Sequence, residues 1–309
     1  MAFIRNFSDN GLVRDDWPNA IARLAQDIKE YPEMSTQETV PATFESICDW
    51  AYVFYRAHRQ DLVRSHVLLS KPNTPALNMP EIQCIEEVNI RFQGFLGQHN
   101  LKVFGSWNGN SVHNVHKAVQ FLEITSGPFK AQMVDQIVCV DNIRRLVIRE
   151  ILPPQDAAAT IRLMPPPGES LSFQRRVFKK IQNGSHYPPS VLTAIDDPTG
   201  QTASFARQWR VTSKIALGRK VATGKVERCS PLVFSYGDFV DVTARVDIAN
   251  VTTENDVPTV KVFFAPVTVI QLCKADDVPE FMGVELSDTT ELADVSSVTA
   301  PTMGVVFDY

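Results

Sequence analysis

Apolar residues recur at intervals of three and four along much of the first half of the chain. This spacing occurs over residues 17–28, 43–69, 80–96, 115–124 and 132–151. Positions three and four residues apart share one face of a helix. The pattern therefore predicts that residues 1–152 form a mainly helical domain. The last third of 80–96 also fits an extended strand. Gly105 and Gly109 indicate a turn within 101–112.

Clustered prolines follow this helical pattern. Five prolines lie between positions 153 and 167, and Gly168 comes directly after them. Proline removes a backbone donor and cannot continue a regular helix or strand. Residues 153–169 are therefore predicted to be a linker between two domains. The next stretch, SLSFQRRVFKKIQNG, is predicted to be a short basic helix that ends at Gly184.

The hydrophobic period changes from helical spacing to two residues after about Ala203. In GDFVDVTARVDI, apolar residues alternate with Asp241, Thr243, Arg245 and Asp247, which are predicted to face water. A second strong strand is predicted over TVKVFFAPVTVIQLCK, where Pro266 indicates a bulge or an edge. Residues 170–275 are thus predicted to combine the basic helix with a small antiparallel β-barrel or sandwich, and the whole chain is assigned to the α+β class.

Composition is that of a globular protein. Hydrophobic residues make up 44% of the chain. No apolar run approaches the roughly 18 residues that predict a transmembrane helix. The five cysteines are odd in number and widely spaced, which favours buried free thiols in a reducing compartment over disulfides. Residues 1–17 show no signal-peptide pattern. We expect an intracellular protein, cytoplasmic or nuclear, that is neither secreted nor associated with a membrane.

The near-neutral total of −5 hides a strong separation of charge along the chain. Residues 1–143 carry 12 basic and 16 acidic side chains, residues 144–228 carry 15 and 6, and residues 229–309 carry 3 and 13. Residues 276–309 contain acidic side chains and no Lys or Arg. They are predicted to form an acidic tail, partly ordered or disordered. Such asymmetry indicates what a protein binds rather than how it folds.

Specific catalytic and metal motifs are missing from the sequence. No phosphate-binding glycine loop and no G-x-S-x-G nucleophile elbow occur. His113 and His116 form an H-x-x-H pair, but no third ligand stands at a suitable spacing. We therefore predict no catalytic residues, no metal site and no cofactor, and we expect that the protein is not an enzyme.

The basic middle of the chain is the candidate site. Its Lys and Arg residues are interleaved with Phe178, Phe205 and Trp209, as in surfaces that bind phosphates and stack bases. On a helix, the first four cations would share one face. The predicted site residues are Arg175, Arg176, Lys179, Lys180, Arg207, Trp209, Arg210, Lys214, Arg219 and Lys220.

Two functional hypotheses follow from this distribution. The first is a protein that binds nucleic acid, single-stranded and largely independent of sequence, with a helical region that self-assembles into a homo-oligomer. In this hypothesis the acidic tail competes for the basic surface. The alternative is a structural self-assembling protein, a coat or scaffold subunit, whose basic and acidic surfaces pair with each other or between copies.

Overall fold

The structure is a computed structural model that describes residues 1–17, 38–55, 66–71, 87–109, 112–164, 168–181, 189–252 and 258–278. Within these ranges the α-helices are α1 (Phe44–Trp50), α2 (Lys130–Ile151) and α3 (Pro154–Arg162). The strands are β1 (Ala2–Ile4), β2 (Thr39–Val40), β3 (Ala51–Tyr55), β4 (His66–Ser70), β5 (Asn89–Asn100), β6 (Val119–Thr125), β7 (Ser170–Arg176), β8 (Lys179–Lys180), β9 (Trp209–Arg210), β10 (Ala216–Lys220), β11 (Val226–Arg228), β12 (Phe239–Thr252) and β13 (Pro258–Cys273).

Nine of these strands form one mixed sheet. Its main order is β11-β10-β13-β12-β5-β1-β2, with β6 added to β5 and β7 added to β6. The pairs β1–β2, β1–β5 and β10–β13 are parallel, and the other pairs are antiparallel. Two short ladders, β3–β4 and β8–β9, lie outside this sheet. The sheet contains strands from both sides of the proline-rich segment, because β5 pairs with β12.

Strand β5 is shared by three neighbouring strands. One of its edges pairs with β12, while the opposite edge pairs first with β1, at Ile90 and Arg91, and then with β6 from Phe95. Gln93 lies between these two partners. Its N–H donates to Oε1 of Gln136 at 2.9 Å, and its carbonyl accepts from Nε2 at 2.8 Å. The side chain of Gln136 thus satisfies the backbone groups that no strand pairs.

Helix α2 packs beside the edge of β5 that β1 and β6 share. Its buried residues follow helical spacing, and they include Met133, Ile137, Val140, Ile143, Leu146 and Val147. The helix predicted over 132–151 is therefore confirmed. The approach to the sheet is close, because a Cβ at Gly94 would lie 3.1 Å from Cε of Met133 and 2.9 Å from the carbonyl oxygen of Thr125. Packing of this apolar face contributes most of the helix's stability.

The prediction of a helical N-terminal region is wrong, although the stretch 17–28 lies outside the described residues from position 18 onward. The helix predicted over 43–69 ends at Trp50, and β3 and β4 follow it on either side of 56–65, which lie outside the described residues. The stretches 80–96 and 115–124 contribute to β5 and β6. Every residue of β5 from Ile90 to Leu96 is buried. A strand buried on both faces loses the period of two, so its apolar positions resemble helical spacing.

The predicted small antiparallel barrel or sandwich and the predicted basic helix are wrong as well. The two strong strands are confirmed as β12 and β13, but they belong to the large mixed sheet. Ser170–Arg176 is strand β7, which pairs with β6 along its whole length. This tertiary pairing outweighs the local helical spacing of Phe173 and Val177, since intrinsic propensity is a weak influence. The acidic tail from residue 279 onward lies outside the described residues.

The polar face predicted for β12 is not fully exposed. Asp241 is only 1% exposed, and its carboxylate accepts hydrogen bonds from Nε of Arg91 at 2.8 and 2.9 Å and from Nε2 of Gln93 at 2.8 Å. The guanidinium carbon of Arg91 also lies 4.8 Å from the centroid of the Phe3 ring. Alternation identified this face as polar, but it did not reveal that β5 supplies a matching cation and that this cation packs against Phe3 of β1.

Replacement of Asp241 by Ala tests this buried ion pair. We expect Asp241→Ala to lower the free energy of unfolding by about 3–5 kcal/mol, because Arg91 would keep a buried charge without its carboxylate. The matched control is Asp141→Ala, whose partner Arg145 is 47% exposed. Asp141 is itself 14% exposed, but the pair is an i,i+4 contact within one helix and its guanidinium is open to solvent, and such pairs are worth about 0.3–0.5 kcal/mol. Urea denaturation measures both values, and equal small losses would contradict the structural role of Asp241.

Candidate nucleic-acid interface

The four cations at the start of the basic segment do not share one helical face. Arg175 and Arg176 are successive residues of β7, so their side chains project to opposite sides of the strand. Arg175 is 6% exposed, whereas Arg176 is half-buried. Lys179 and Lys180 lie on the separate strand β8. The predicted stack of four cations is therefore wrong, because the chain is extended here.

Arg175 is held inside the protein by a second segment. Its Nη2 donates to the carbonyl oxygen of Ser213 at 2.8 Å and to Oγ of the same residue at 2.7 Å. Burial lowers the pKa of Arg175 to about 10, the charge of Arg245 lowers it as well, and Asp247 raises it. The group remains charged at neutral pH. Its buried contacts indicate a role in joining β7 to the segment before β10 rather than in contacting a phosphate.

The β8–β9 ladder brings together cations that are about thirty residues apart in sequence. Lys179 pairs with Arg210, and Lys180 pairs with Trp209. The N–H of Ile181 continues the pairing by donating to the carbonyl of Gln208 at 2.7 Å. Lys180 is exposed and the Trp209 side chain is half-buried. We call Lys179, Lys180, Trp209 and Arg210, together with the exposed Arg207 just before β9, the basic ladder.

A cluster of aromatic side chains packs against the basic ladder on its buried side. The ring of Phe178 lies 5.3 Å from Phe205, 5.5 Å from Trp107 and 6.2 Å from Phe104, measured between centroids. Phe178 and Phe205 are both buried. They were predicted to be exposed stacking platforms, which is wrong, because they form the core that fixes β8. Of the interleaved aromatic residues, Trp209 alone retains accessible surface for a ligand.

A cavity of about 280 Å³ opens beside this ladder, and we call it the aromatic cavity. The segment before Leu192 forms one wall, held where the N–H of Val191 donates to the carbonyl of Val211 at 3.0 Å. Nε of Arg210 donates to the carbonyl of Ala206 at 3.3 Å, which fixes the guanidinium at the cavity. The lining residues are Phe178, Pro189, Ser190, Leu192, Thr202, Ala206, Trp209, Arg210 and Val211.

The remaining predicted residues lie elsewhere. Nζ of Lys214 forms an ion pair of 2.7 Å with Oδ2 of Asp196. Burial raises the pKa of Asp196, but hydrogen bonds from Lys214 and Thr193 outweigh it, and the net pKa lies below its ordinary value. Lys214 therefore carries a charge that is already neutralised. Arg219 and Lys220 belong to β10 at the other ladder, β10–β11, where Arg219 pairs with Glu227.

Three ring residues of this region were not predicted as part of the site. Phe104 and Trp107 were considered only within a glycine-rich turn, which Gly105 forms with a positive φ of 55°. His116 was considered only as a metal ligand, and its ring lies 6.4 Å from that of Trp209. Phe104 and Trp107, which stand on either side of Gly105, could have indicated an aromatic cluster in the sequence, because glycine permits a tight turn that brings them together.

The described residues hold neither a metal-binding cluster nor a membrane-spanning helix. They contain no group of three or more His, Cys, Asp or Glu side chains arranged to hold a metal ion. In the same ranges, no helix has both the length and the apolar character needed to cross a membrane.

The structural assignment of Arg175 can be tested against Arg207. We expect Arg175→Ala to lower the free energy of unfolding by about 1.5–3 kcal/mol, since it removes two buried hydrogen bonds from a charged donor. Arg207→Ala at the exposed position should change it by about 0.5 kcal/mol or less. Urea denaturation of the two variants gives the comparison. An unchanged stability for Arg175→Ala would show that its contacts with Ser213 do not hold β7 in place.

The chain was also compared with known proteins. No protein-family model, no curated protein and no solved structure matches it.

Proposed function

We propose that this protein binds single-stranded nucleic acid, with little dependence on sequence, at the basic ladder. The observation that carries the proposal is the strand pairing of Lys180 with Trp209 and of Lys179 with Arg210. Lys180 therefore shares a face of the ladder with the accessible indole, whereas Lys179 and Arg210 pair on the other face, and Arg210 reaches the cavity that Trp209 also lines. Phosphates are attracted by such cations, and bases stack on such rings.

The cations of this ladder favour backbone contacts that carry no sequence information. Lys180 and Arg207 are exposed, and within the described ranges the two terminal nitrogens of Arg210 have no hydrogen-bond partner. An ammonium or a guanidinium donates to phosphate oxygens whatever base is attached. In this proposal these three side chains follow the phosphates of one strand, and Lys179 adds to the positive field.

The indole of Trp209 is the reason for proposing a single strand. A base must be unstacked from its neighbours before it can lie against a protein ring, and single strands meet this condition at little cost. The indole is fixed for this role, because its strand partner is Lys180 and its ring is packed near His116. A side chain held in one position loses little entropy on binding.

The acidic segment over 279–309 is proposed to compete with nucleic acid for the same surface. It contains six Asp or Glu residues and no Lys or Arg. Opposite charges attract through a screened field that needs no specific fit. A tethered polyanion would therefore weaken the binding of another polyanion, most of all at low salt.

Paired charge variants test the location of the interface. We expect Lys180→Gln with Arg207→Gln to flatten the slope of log affinity against log salt by up to about 1.4, since each lost phosphate contact on a single strand removes about 0.7. The control is Lys225→Gln with Arg228→Gln, two exposed cations at β10–β11. It makes the same change in net charge. Fluorescence anisotropy with a labelled oligonucleotide measures the slopes.

The control variant should keep a slope close to that of the unchanged protein. Equal flattening in both variants would contradict a localised interface. Unchanged slopes in both, with native circular dichroism, would contradict the proposal and favour the structural self-assembling alternative.

Truncation after Val278 tests the competing segment. This end point retains Val278, which packs against the cluster of Trp17, Phe95 and Phe239. We expect the shortened protein to bind oligonucleotides more tightly at low salt, by up to about tenfold. Tenfold is the smallest of the increases, about 10- to 1,000-fold, that electrostatic steering gives to on-rates and to the local concentration of a charged ligand. A full-length chain with all six acidic residues changed to Asn or Gln should behave alike. Equal affinities of the truncated and full-length proteins at low salt would contradict the competition.

A further inference from the structure

The aromatic cavity is a second feature of the interface, beside the exposed cations of the basic ladder. We propose that it receives one base of the bound strand, which lies against the indole of Trp209 while the attached phosphate is held at Arg210. This inference rests on the proposed function and specifies it further. The ligand of the cavity is a single nucleobase that carries a phosphate.

The size and walls of the cavity fit a small planar group. Its volume of about 280 Å³ lies near the lower limit of ligand pockets, which span about 300–1,000 Å³. Phe178, Leu192 and Val211 supply apolar walls. The Phe178 ring is held by the buried aromatic cluster, so the cavity is formed before a ligand enters. Such a site has room for one base rather than for several stacked bases.

The polar groups of the cavity suit the edge of a base and its phosphate. The hydroxyls of Ser190 and Thr202 lie in the lining, and hydroxyls both donate and accept. Thr202 is oriented by its bond of 2.7 Å to Oδ2 of Asp197. The guanidinium of Arg210 is directed by the carbonyl of Ala206, and its planar fork matches a phosphate. Among the residues that the structure describes, no acidic side chain lines this cavity, which favours an anionic ligand.

Groups that donate and accept with equal ease distinguish bases poorly. The Ser190 hydroxyl can rotate to match either a carbonyl or an amino group on a base edge, whereas the Thr202 hydroxyl, which donates to Asp197, can only accept. The cavity would therefore accept different bases, which agrees with weak sequence dependence. The base and the phosphate would be recognised together, whether they come from a strand or from a free mononucleotide.

Two oligonucleotides with the same number of phosphates separate the cavity from the cations. An octamer of thymidylate and an octamer of abasic residues present equal charge, but only the first presents bases. We expect the thymidylate octamer to bind about 5- to 150-fold more tightly, the equivalent of one stacked base. Ala206→Leu, which fills the cavity and leaves charge unchanged, should reduce the binding of thymidylate to the abasic level.

Controls keep this result specific to the cavity. Ala222→Leu makes the same substitution at an exposed residue of the β10–β11 turn and should leave the preference unchanged. Ser190→Leu fills the cavity from another wall, and it replaces Ala206→Leu if circular dichroism shows that the latter is misfolded. Thymidine monophosphate should quench the fluorescence of the unchanged protein more than that of Trp209→Phe, which identifies the free mononucleotide as a ligand.

The outcomes distinguish this inference from the proposed function. Equal affinity for the two octamers would overturn the base-binding cavity while leaving phosphate binding at the ladder intact. Failure of both octamers to bind would overturn the proposed function and the inference together. Loss of the thymidylate preference in both filled variants, but not in Ala222→Leu, would support the cavity.

Discussion

The pairing of β5 on both edges is the constraint on which the rest of the structure depends. β12 takes one edge, and β1 and β6 share the other, with the side chain of Gln136 closing the gap between them. The same strand supplies Arg91 to the buried carboxylate of Asp241 and places Phe92 against the rings of Phe173 and Phe264. Because β6 carries β7, and β7 leads directly into β8, the position of the basic ladder is set by this strand as well.

The elements that the sequence predicted correctly are those whose pattern is produced locally. Helix α2 buries one regular face, and β12 and β13 show a strong period of two, so their patterns need no knowledge of the partner. β5 is buried on both sides and β7 pairs with a strand far away in sequence. In both strands the spacing of apolar residues resembles that of a helix, and tertiary pairing decides the outcome. The mixed sheet could not be predicted, because its order depends on contacts between distant segments.

The same distinction applies to the candidate site. The excess of Lys and Arg was visible in the sequence, and Lys180, Arg207 and Arg210 do lie near Trp209. The sequence did not show which of these cations are accessible. Arg175 is buried against Ser213, and Lys214 forms an ion pair with Asp196. The aromatic cavity was not predictable either. It forms where three separate segments meet, and no single stretch of sequence shows its outline.

Photocrosslinking tests the central claim most directly. A single-stranded oligonucleotide carrying a photoreactive thymine analogue would be irradiated with the full-length protein, and the modified residues would be located by mass spectrometry. We expect crosslinks to Trp209 and its neighbours in β8 and β9, with loss of these crosslinks at high salt. Crosslinks confined to β10 and β11, or spread evenly over basic peptides, would contradict it.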